Sequence, residues 1–532
     1  MRNPIPRTDI KPFIEPLILL LLAAACYIFF FNGLASIGLV GPDEPRYAAV
    51  ARQMYQTGDY ITPRLHGVPW FEKPVLMYWL TAASFGLFGI GEFAIRFPSA
   101  MAATVTVYFM YFACRRLWGV STAAWASLIL ASSAGYLAFS RAGSMDMLLT
   151  ACLTIASLCF LMGYNLREPG RRWWFLAFYT FVGFGVLAKG PVAIVLPALS
   201  LACYVMLQGR RDEWKEWFPA YSLMTLLVAA PWYVGVVRAN GYEFVQVFLI
   251  NHNLDRFTSI VHGHERPFYF YLPVLLMLTF PWTFMIIPAL RRTLDRHDRI
   301  LFWLAVVPIV FFSFSGSKLP GYILPSIPPI AILCARSISN VSSRAFRIAT
   351  FIEAGMMVFI GVALGFFGQM LNVDPHMSGT LIAATAFGLA MALAAIAMLL
   401  PPTALASFNA LAMGAIVLIG TSFVLPRFEN TDTMRPWRSI LEARVPGDQT
   451  VFVYRPARWA EYGLQYYRSK NTKFVWTQEE LDSALDSGPK VLFVSDAKGQ
   501  AELTQVPGME MKVVTSVGDQ WLFWAWRVPE KE

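Results

Sequence analysis

The sequence predicts a polytopic α-helical membrane protein with a small α/β domain at its C-terminal end. Three observations predict it. The 532-residue chain is 56% hydrophobic and only 14% charged, against about 25% charged residues in ordinary soluble domains. Its apolar residues gather in many runs of about 20, the length that carries a helix through a bilayer core. After Leu425 the pattern changes to short alternating strands between helical stretches.

The first apolar run covers 14–38 and leads into a densely charged loop, 41–74, GPDEPRYAAVARQMYQTGDYITPRLHGVPWFEKP. The run at 75–90 is short and follows Pro74. Further runs lie near 96–114, 121–140, 146–165, 172–188, 190–207, 217–238, 268–290, 300–315, 320–336, 346–370, 379–399 and 402–425. Hydrocarbon offers the backbone no partners, so each span is a helix. Basic connectors occur at Arg115-Arg116, at Arg167 with Arg171-Arg172, at Arg210-Arg211 with Lys215, at Arg291-Arg292 with Arg296, and at Arg336 with Arg344 and Arg347. They fall at alternate crossings and mark the cytoplasmic side. The net charge of +9 reads as this bias rather than as a nucleic-acid surface, for which no motif is present.

Parity decides the short run. Were 75–90 to cross, the loop before it would share the side of the basic connectors. Laid in the interface, it puts the N-terminus in the cytoplasm and leaves about 13 spans. Loop 41–74, the turn Arg141–Asp146, Lys189, segment 239–267 and the turn Ser315–Tyr322 then share the outer face. The six cysteines lie in or beside apolar runs without metal-ligand spacing and are expected to pack as thiols. Cleavage at LAAAC, 22–26, would destroy the first span. Segment 239–267 carries His252, Asp255, Arg256, His262, His264, Glu265 and Arg266, with Phe244, Val247, Phe248 and Ile250 as an apolar face for an interfacial helix. The division is therefore 1–425, a transmembrane domain with outer loops 41–95 and 239–267, and 426–532, a soluble α/β domain. Its strands are expected at Val451–Tyr454, Lys473–Trp476, Val491–Ser495, Met511–Val514 and Trp521–Trp526, with a helix at Gln478–Ser487.

Chemistry must come from scattered side chains, since no Walker loop, GxGxxG, GxSxG or CxxC site is present. Asp43-Glu44 follows the first span directly. An acidic pair at a membrane surface orients a nucleophile, takes a proton or binds a metal; the plainer reading makes Asp43 a helix N-cap. Asp146 opens a run with no further charge before Arg167, and a carboxylate there points into a cavity, finds a partner or caps the helix in the headgroup layer. Lys73 suits a phosphate as a point charge. Glu72 with His264 or His262 has the donor chemistry of a zinc or manganese site, though interfacial histidines are more often plain surface residues. Lys318 at a span end is expected to snorkel. Lys189, between two apolar runs, points to a cavity or the interface.

The motifs resemble a known family. The DE pair with RYA after the first span, then GDY, FEKP and YW, resembles the opening of the lipid A aminoarabinose transferases, relatives of the protein O-mannosyltransferases in the GT-C class. SRAGSMDMLL, NHNLDRF followed by HERPFYFYLPVLL, and SKLPGYILP resemble three further blocks in the same order, over roughly 40–335. The resemblance implies a GT-C fold of 13 spans. It implies an inverting glycosyltransferase that takes a sugar from a polyprenyl (undecaprenyl) phosphate donor to lipid A, on the periplasmic face of a bacterial inner membrane. Carried over by position, it implies catalytic carboxylates at Asp43 and Asp146, donor-phosphate contacts from Lys73 and Arg266, a cavity lined by Glu44, Arg46, Lys318 and Tyr322, and a divalent metal, zinc or similar, at Glu72 and His264. Two alternatives stand beside this. One is a protein or polysaccharide glycosyltransferase using the same donor class. The other is a transporter of lipid-linked sugars, disfavoured by the lack of internal repeats.

Overall fold

The computed structural model describes residues 14–164, 166, 169–208, 221–248, 266–291, 295–338, 348, 352, 402–445, 449–468 and 471–528. The expected spans 346–370 and 379–399 lie outside them, as do His252, Asp255, Arg256, His262, His264 and Glu265.

The chain opens with α1 (Ile14–Cys26), which runs on as a wider turn to Phe31. The charged loop forms α2 (Asp43–Thr57) and a minimal hairpin of β1 (Arg64–Leu65) and β2 (Val68–Pro69). The short apolar run becomes α3 (Leu76–Phe88), 13 residues, which at 1.5 Å per residue is too short to cross a bilayer core of about 30 Å. The bundle continues with α4 (Glu92–Trp118), α5 (Val120–Ser132), α6 (Ala134–Ser140), α7 (Met145–Tyr164), α8 (Gly170–Lys189), α9 (Val192–Leu207) and α10 (Leu223–Asn240). It closes with α11 (Tyr271–Thr279), α12 (Ile286–Arg291), α13 (Arg296–Ser313), the 3-10 turn Pro320–Ser326 with α14 (Ile327–Ile338), and α15 (Pro402–Ile419). Among the described residues, five single helices are long and apolar enough to cross a membrane, and seven if each of two bent pairs counts as one span. The chain is a multi-pass membrane protein.

Two expected spans are broken. Run 121–140 bends by 64° between α5 and α6, and run 268–290 by 111° between α11 and the turn before α12. The Ser132 and Ser133 hydroxyls donate back to the Leu128 and Ile129 carbonyls, both at 2.6 Å, a pattern that bends helices. The Ala134 amide then donates to the Phe280 carbonyl at 2.7 Å, and the Trp282 indole donates to Ser132 Oγ at 3.0 Å. Each break thus supplies partners for the other, the condition under which irregular backbone survives inside a bundle.

The C-terminal unit is a five-stranded sheet in the order β4-β3-β5-β7-β6. Its strands are β3 (Val451–Tyr454), β4 (Thr472–Val475), β5 (Val491–Asp496), β6 (Met509–Val517) and β7 (Gln520–Arg527). β4, β3 and β5 run parallel and β7 and β6 form an antiparallel hairpin. The sequence places four of these strands to within a residue, and the helix at Gln478–Asp486 as well; β6 runs two residues earlier and three later than the expected Met511–Val514. Phe452, Phe493 and Phe523 face a core closed by Leu481, Leu485 and Leu503 from Gln478–Asp486 and Ala497–Thr504. Val453, Leu492, Val494 and Leu522 face Trp437, Leu441 and Leu464 from α16 (Arg435–Arg444) and α17 (Arg458–Tyr467). Burial on both faces explains the unbroken apolar run of β5. The second of these cores continues without interruption into α2 and α3, so the C-terminal unit is seated on the charged loop.

Candidate active site

Of the two readings of Asp43, the helix cap is not what forms: Pro42 is the N-cap of α2 and Asp43 is its first residue. Its carboxylate is therefore free of capping and 57% exposed, and accepts from Arg46 Nη2 at 2.5 Å. This is the i,i+3 spacing that puts two side chains on one helix face. Arg46 Nη1 reaches Glu72 Oε2 at 3.0 Å. The guanidinium, 5% exposed, lies among the rings of Tyr47, Trp70 and Tyr462 at 5.4, 5.7 and 5.6 Å from their centroids. Burial opposes the charge on Arg46, but its anionic neighbours raise its pKa nonetheless. Arg46 is a caged bridge between two carboxylates rather than an open cavity wall.

Glu44 turns the other way and also leaves the cavity. Its Oε1 accepts from Arg96 Nε at 2.7 Å and from the Gly143 amide at 2.9 Å. Its Oε2 accepts from Arg96 Nη2 at 2.7 Å and from the Val40 amide at 3.0 Å. Burial alone would push the Glu44 carboxyl up; the Arg96 charge and these donors outweigh it and hold the carboxyl below the usual range. Arg96 also donates to the carbonyls of Leu34, Ile37 and Gly38 at 2.7–2.8 Å, so all five of its N–H groups are bonded. Arg141 donates to Phe29 and Asn32 carbonyls at 2.9 and 2.7 Å. Together these tie the end of the first span, the start of α2 and the turn before Asp146 into one frame.

On that frame sits the second carboxylate. Asp146, in the first turn of α7, pairs with Lys189 from the end of α8. The Lys189 ammonium stands 4.5 Å from the Tyr322 ring centroid. The close approach requires glycine at 321, where a Cβ would lie 2.8 Å from Asp146 Oδ2 and from the Phe139 ring. The Tyr47 hydroxyl is held well above the ordinary tyrosine range, first by burial and then by the charge of Asp43, with Asp146 adding to it. Asp43 and Asp146 thus both lie close enough to Tyr47 for their charges to act on its hydroxyl. Lys318 does not snorkel: it is buried, and donates to the Ser315 carbonyl at 2.6 Å, because its turn folds back over it. Lys73 is half-buried just ahead of α3, and Arg266 is exposed.

Glu72 already faces a guanidinium through one oxygen, His264 lies outside the described residues, and among the described residues no three His, Cys, Asp or Glu side chains cluster. The residues that can be seen do not by themselves make a cation site.

Residues 16–240 match the family model for dolichyl-phosphate-mannose-protein mannosyltransferase. The undecaprenyl phosphate-alpha-4-amino-4-deoxy-L-arabinose arabinosyl transferase of Aeromonas hydrophila is 31% identical over 352 residues, 63% of this chain and 64% of that protein. The protein of the same name from Pectobacterium carotovorum is 31% identical over 374 residues, 68% and 66% of the two chains. The match thus spans slightly under two thirds of the length of these relatives. In three dimensions, the crystal structure of ArnT from Cupriavidus metallidurans bound to undecaprenyl phosphate aligns at a TM-score of 0.80 and 24% identity, over 95% of this chain and 97% of that one. Residues 16–240 thus carry the domain of the protein mannosyltransferase family, and the chain is similar to the aminoarabinose transferases over most of its length and shares their fold. The fold is also that of the more distant Archaeoglobus fulgidus oligosaccharyltransferase, at a TM-score of 0.52 and 12% identity over 91% of this chain and 69% of that one.

Within this chain, three site residues escaped the reading of the sequence. Arg96 is a lone cation at the head of a span, and such a charge requires a carboxylate at its own depth; that requirement was the available signal. Trp70 and Tyr462 carried none, because a cation-facing ring looks like any core aromatic.

Proposed function

We propose that the protein is an inverting glycosyltransferase that moves a sugar from polyprenyl (undecaprenyl) phosphate to lipid A at the periplasmic face of a bacterial inner membrane. The reading includes about 13 spans, a cytoplasmic N-terminus, and division into a catalytic membrane domain, 1–425, and a periplasmic domain, 426–532. The observation that carries it is the gathering of Asp43, Glu72, Asp146, Lys73 and Lys189 at one end of the helix bundle. A lipid-linked anion can reach that place while its tail stays among the spans. The activity for which these relatives are named supports the same donor and transfer.

In the proposed reaction an acceptor oxygen attacks the anomeric carbon from the face opposite the phosphate. The bond from that carbon to the donor phosphate oxygen breaks, its electron pair leaves with polyprenyl phosphate, and configuration inverts. Lys73, with Arg266 as second partner, stabilises the charge that grows on the departing phosphate. Asp43, outside the Arg96 frame and exposed, orients the acceptor. A lipid A phosphate is already ionised and needs no base; a hydroxyl acceptor would pass its proton to Asp43. Asp146 holds Lys189 beside the pocket, with Tyr322 and Lys318 lining it.

A divalent metal at Glu72 and His264 is proposed as a site to be measured. Elemental analysis of purified wild type and Glu72→Ala decides it: stoichiometric zinc lost in the variant places it there, and equal content removes it. The function itself is tested by mass spectrometry of lipid A from cells with wild type, Asp43→Asn or no copy of the gene. An aminopentose-sized addition only with wild type supports the reading. Unmodified lipid A together with sugar on protein or glycan would move the acceptor and overturn the lipid A assignment.

A further inference from the structure

The C-terminal unit grips the catalytic loop mainly through α17, with the start of α16, Glu429 ahead of it and Phe474 of β4. The Tyr467 hydroxyl accepts from the Leu39 amide and donates to Glu92 Oε1, both at 2.9 Å. The Tyr466 carbonyl accepts from Arg52 Nη1 at 2.6 Å. Arg435 donates to Glu429 through Nε and Nη2 at 2.6 and 2.7 Å and to the Ala35 carbonyl at 3.0 Å, while Glu429 accepts from the Gly38 amide at 3.0 Å. The strand of chain from Leu34 to Val40 is therefore held on one side by Arg96 and Glu44 and on the other by Glu429, Arg435 and Tyr467. That strand leads directly into Asp43. Farther along, His66 of the hairpin meets Glu461 at 3.6 Å and the Phe474 ring at 5.2 Å.

One contact reaches the site itself. Tyr462 lies in α17, far along the chain from α2, yet its ring is one of the three around Arg46. Arg46 is the residue that fixes the Asp43 carboxylate and Glu72. A cation among ring faces is held without a competing hydrogen bond, and in a desolvated setting this is among the stronger non-ionic contacts of a guanidinium. The ring face does the holding, so the phenolic hydroxyl is dispensable at 462. At 467 the hydroxyl is the contact.

We infer that the C-terminal domain is a positioning part of the catalytic centre: α17, through Tyr462 on Arg46 and Tyr467 on the strand before Asp43, sets the geometry of the Asp43 carboxylate. Neither tyrosine touches the reacting atoms. The inference rests on the transferase reading above for its catalytic consequence, but the geometric part stands without it.

The test uses the full-length protein in nanodiscs with four variants: Tyr462→Ala, Tyr462→Phe, Tyr467→Phe and, as a control, Trp476→Ala, a residue exposed to solvent. Two readouts are taken. In transfer kinetics with an undecaprenyl-phosphate sugar and lipid A, Tyr462→Ala is expected to lower kcat about tenfold with KM nearly unchanged, and Tyr462→Phe and Trp476→Ala to match wild type. In hydrogen exchange, amides 35–48 are expected to exchange faster in Tyr462→Ala and Tyr467→Phe while the membrane helices keep their protection. Faster exchange with unchanged kcat overturns the inference, as does slow exchange in every variant, or Tyr462→Phe behaving like Tyr462→Ala. If wild type transfers no sugar, the transferase reading fails, and the exchange readout alone decides whether α17 positions the strand.

Discussion

Two carboxylate–cation pairs lie at the same end of the bundle and differ in almost everything but charge. Glu44–Arg96 is enclosed, bidentate and saturated: the carboxylate accepts four hydrogen bonds and the guanidinium donates five. Asp146–Lys189 joins a carboxylate to a point charge with side chains 22% and 12% exposed, beside an aromatic ring and a glycine that leaves room. A saturated pair has nothing left to offer a substrate and serves as framework. An ammonium on a flexible stem can exchange its carboxylate for a ligand phosphate with little rearrangement. The kind of cation and the number of its filled bonds, more than burial, separate framework from function.

The largest effect is expected at the framework. Arg96→Met leaves Glu44 buried without a countercharge, a loss of about 3–5 kcal/mol, and monodisperse protein should not be recovered after detergent extraction. Arg96→Lys should fare little better, since an ammonium cannot replace the five-donor fork. Asp146→Asn and Lys189→Met should give normal yields and elution profiles and lose transfer activity by about 100-fold or more, the scale of removing a preorganised charge. The reverse pattern, collapse at Lys189 and tolerance at Arg96, would exchange the roles of the two pairs.

Gly321→Ala probes the open pair from its other side. The added methyl meets Asp146 Oδ2 and the Phe139 ring at 2.8 Å, so the carboxylate must swing away from Lys189. Overpacking of this kind costs about 1–3 kcal/mol. The expected result is a folded protein with a modestly lower melting temperature and a large loss of kcat. Wild-type kinetics would show that the Asp146–Lys189 geometry does not matter to the reaction.

How much of this was legible in the chain depends on the range of the interaction. The strands of the C-terminal sheet, the shortness of α3 and the burial of the cysteines follow from local pattern, and all three were readable. So was the need of Asp146 for a partner, because a charge opening a long apolar run must find one. Its partner Lys189 stood out as misplaced but could not be matched to it, because pairing two helices is a tertiary fact. The two broken spans were hidden because mean hydropathy is blind to a bend; Ser132-Ser133 and Pro281 were the local marks. Asp43 and Glu44 looked equivalent, since their separation follows from where Arg96 stands, 52 residues from Glu44. The seat of α17 on α2 depends on aromatic faces meeting across most of the chain length, and no spacing in YGLQYY announces it.

Acid titration distinguishes the pairs more gently. Glu44 is held below its ordinary value of 4.5, so its stabilising contribution is fully present above that pH and is lost as pH falls through the lowered value. Between pH 5 and 8 the Glu44–Arg96 frame should add no slope to thermal stability measured in detergent. A drop should begin only in more acidic buffer, and Glu44→Gln, less stable throughout, should lack that part of it. A slope from this pair near neutral pH would mean the carboxylate is not held by Arg96 as described.

The smallest effect is expected at Glu72. Its tie to Arg46 is one hydrogen-bonded charge pair, partly exposed at 14%, and Arg46 keeps Asp43 and three aromatic rings when the tie is cut. Glu72→Gln retains the size and one acceptor oxygen, so a cost of about 1 kcal/mol or less is expected in stability. If Glu72 serves only to brace Arg46, transfer activity should fall no more than about fivefold, the kinetic equivalent of that energy. A far larger loss at unchanged melting temperature would assign Glu72 a contact that Arg46 does not provide, and parallel metal analysis would then say whether that contact is a cation.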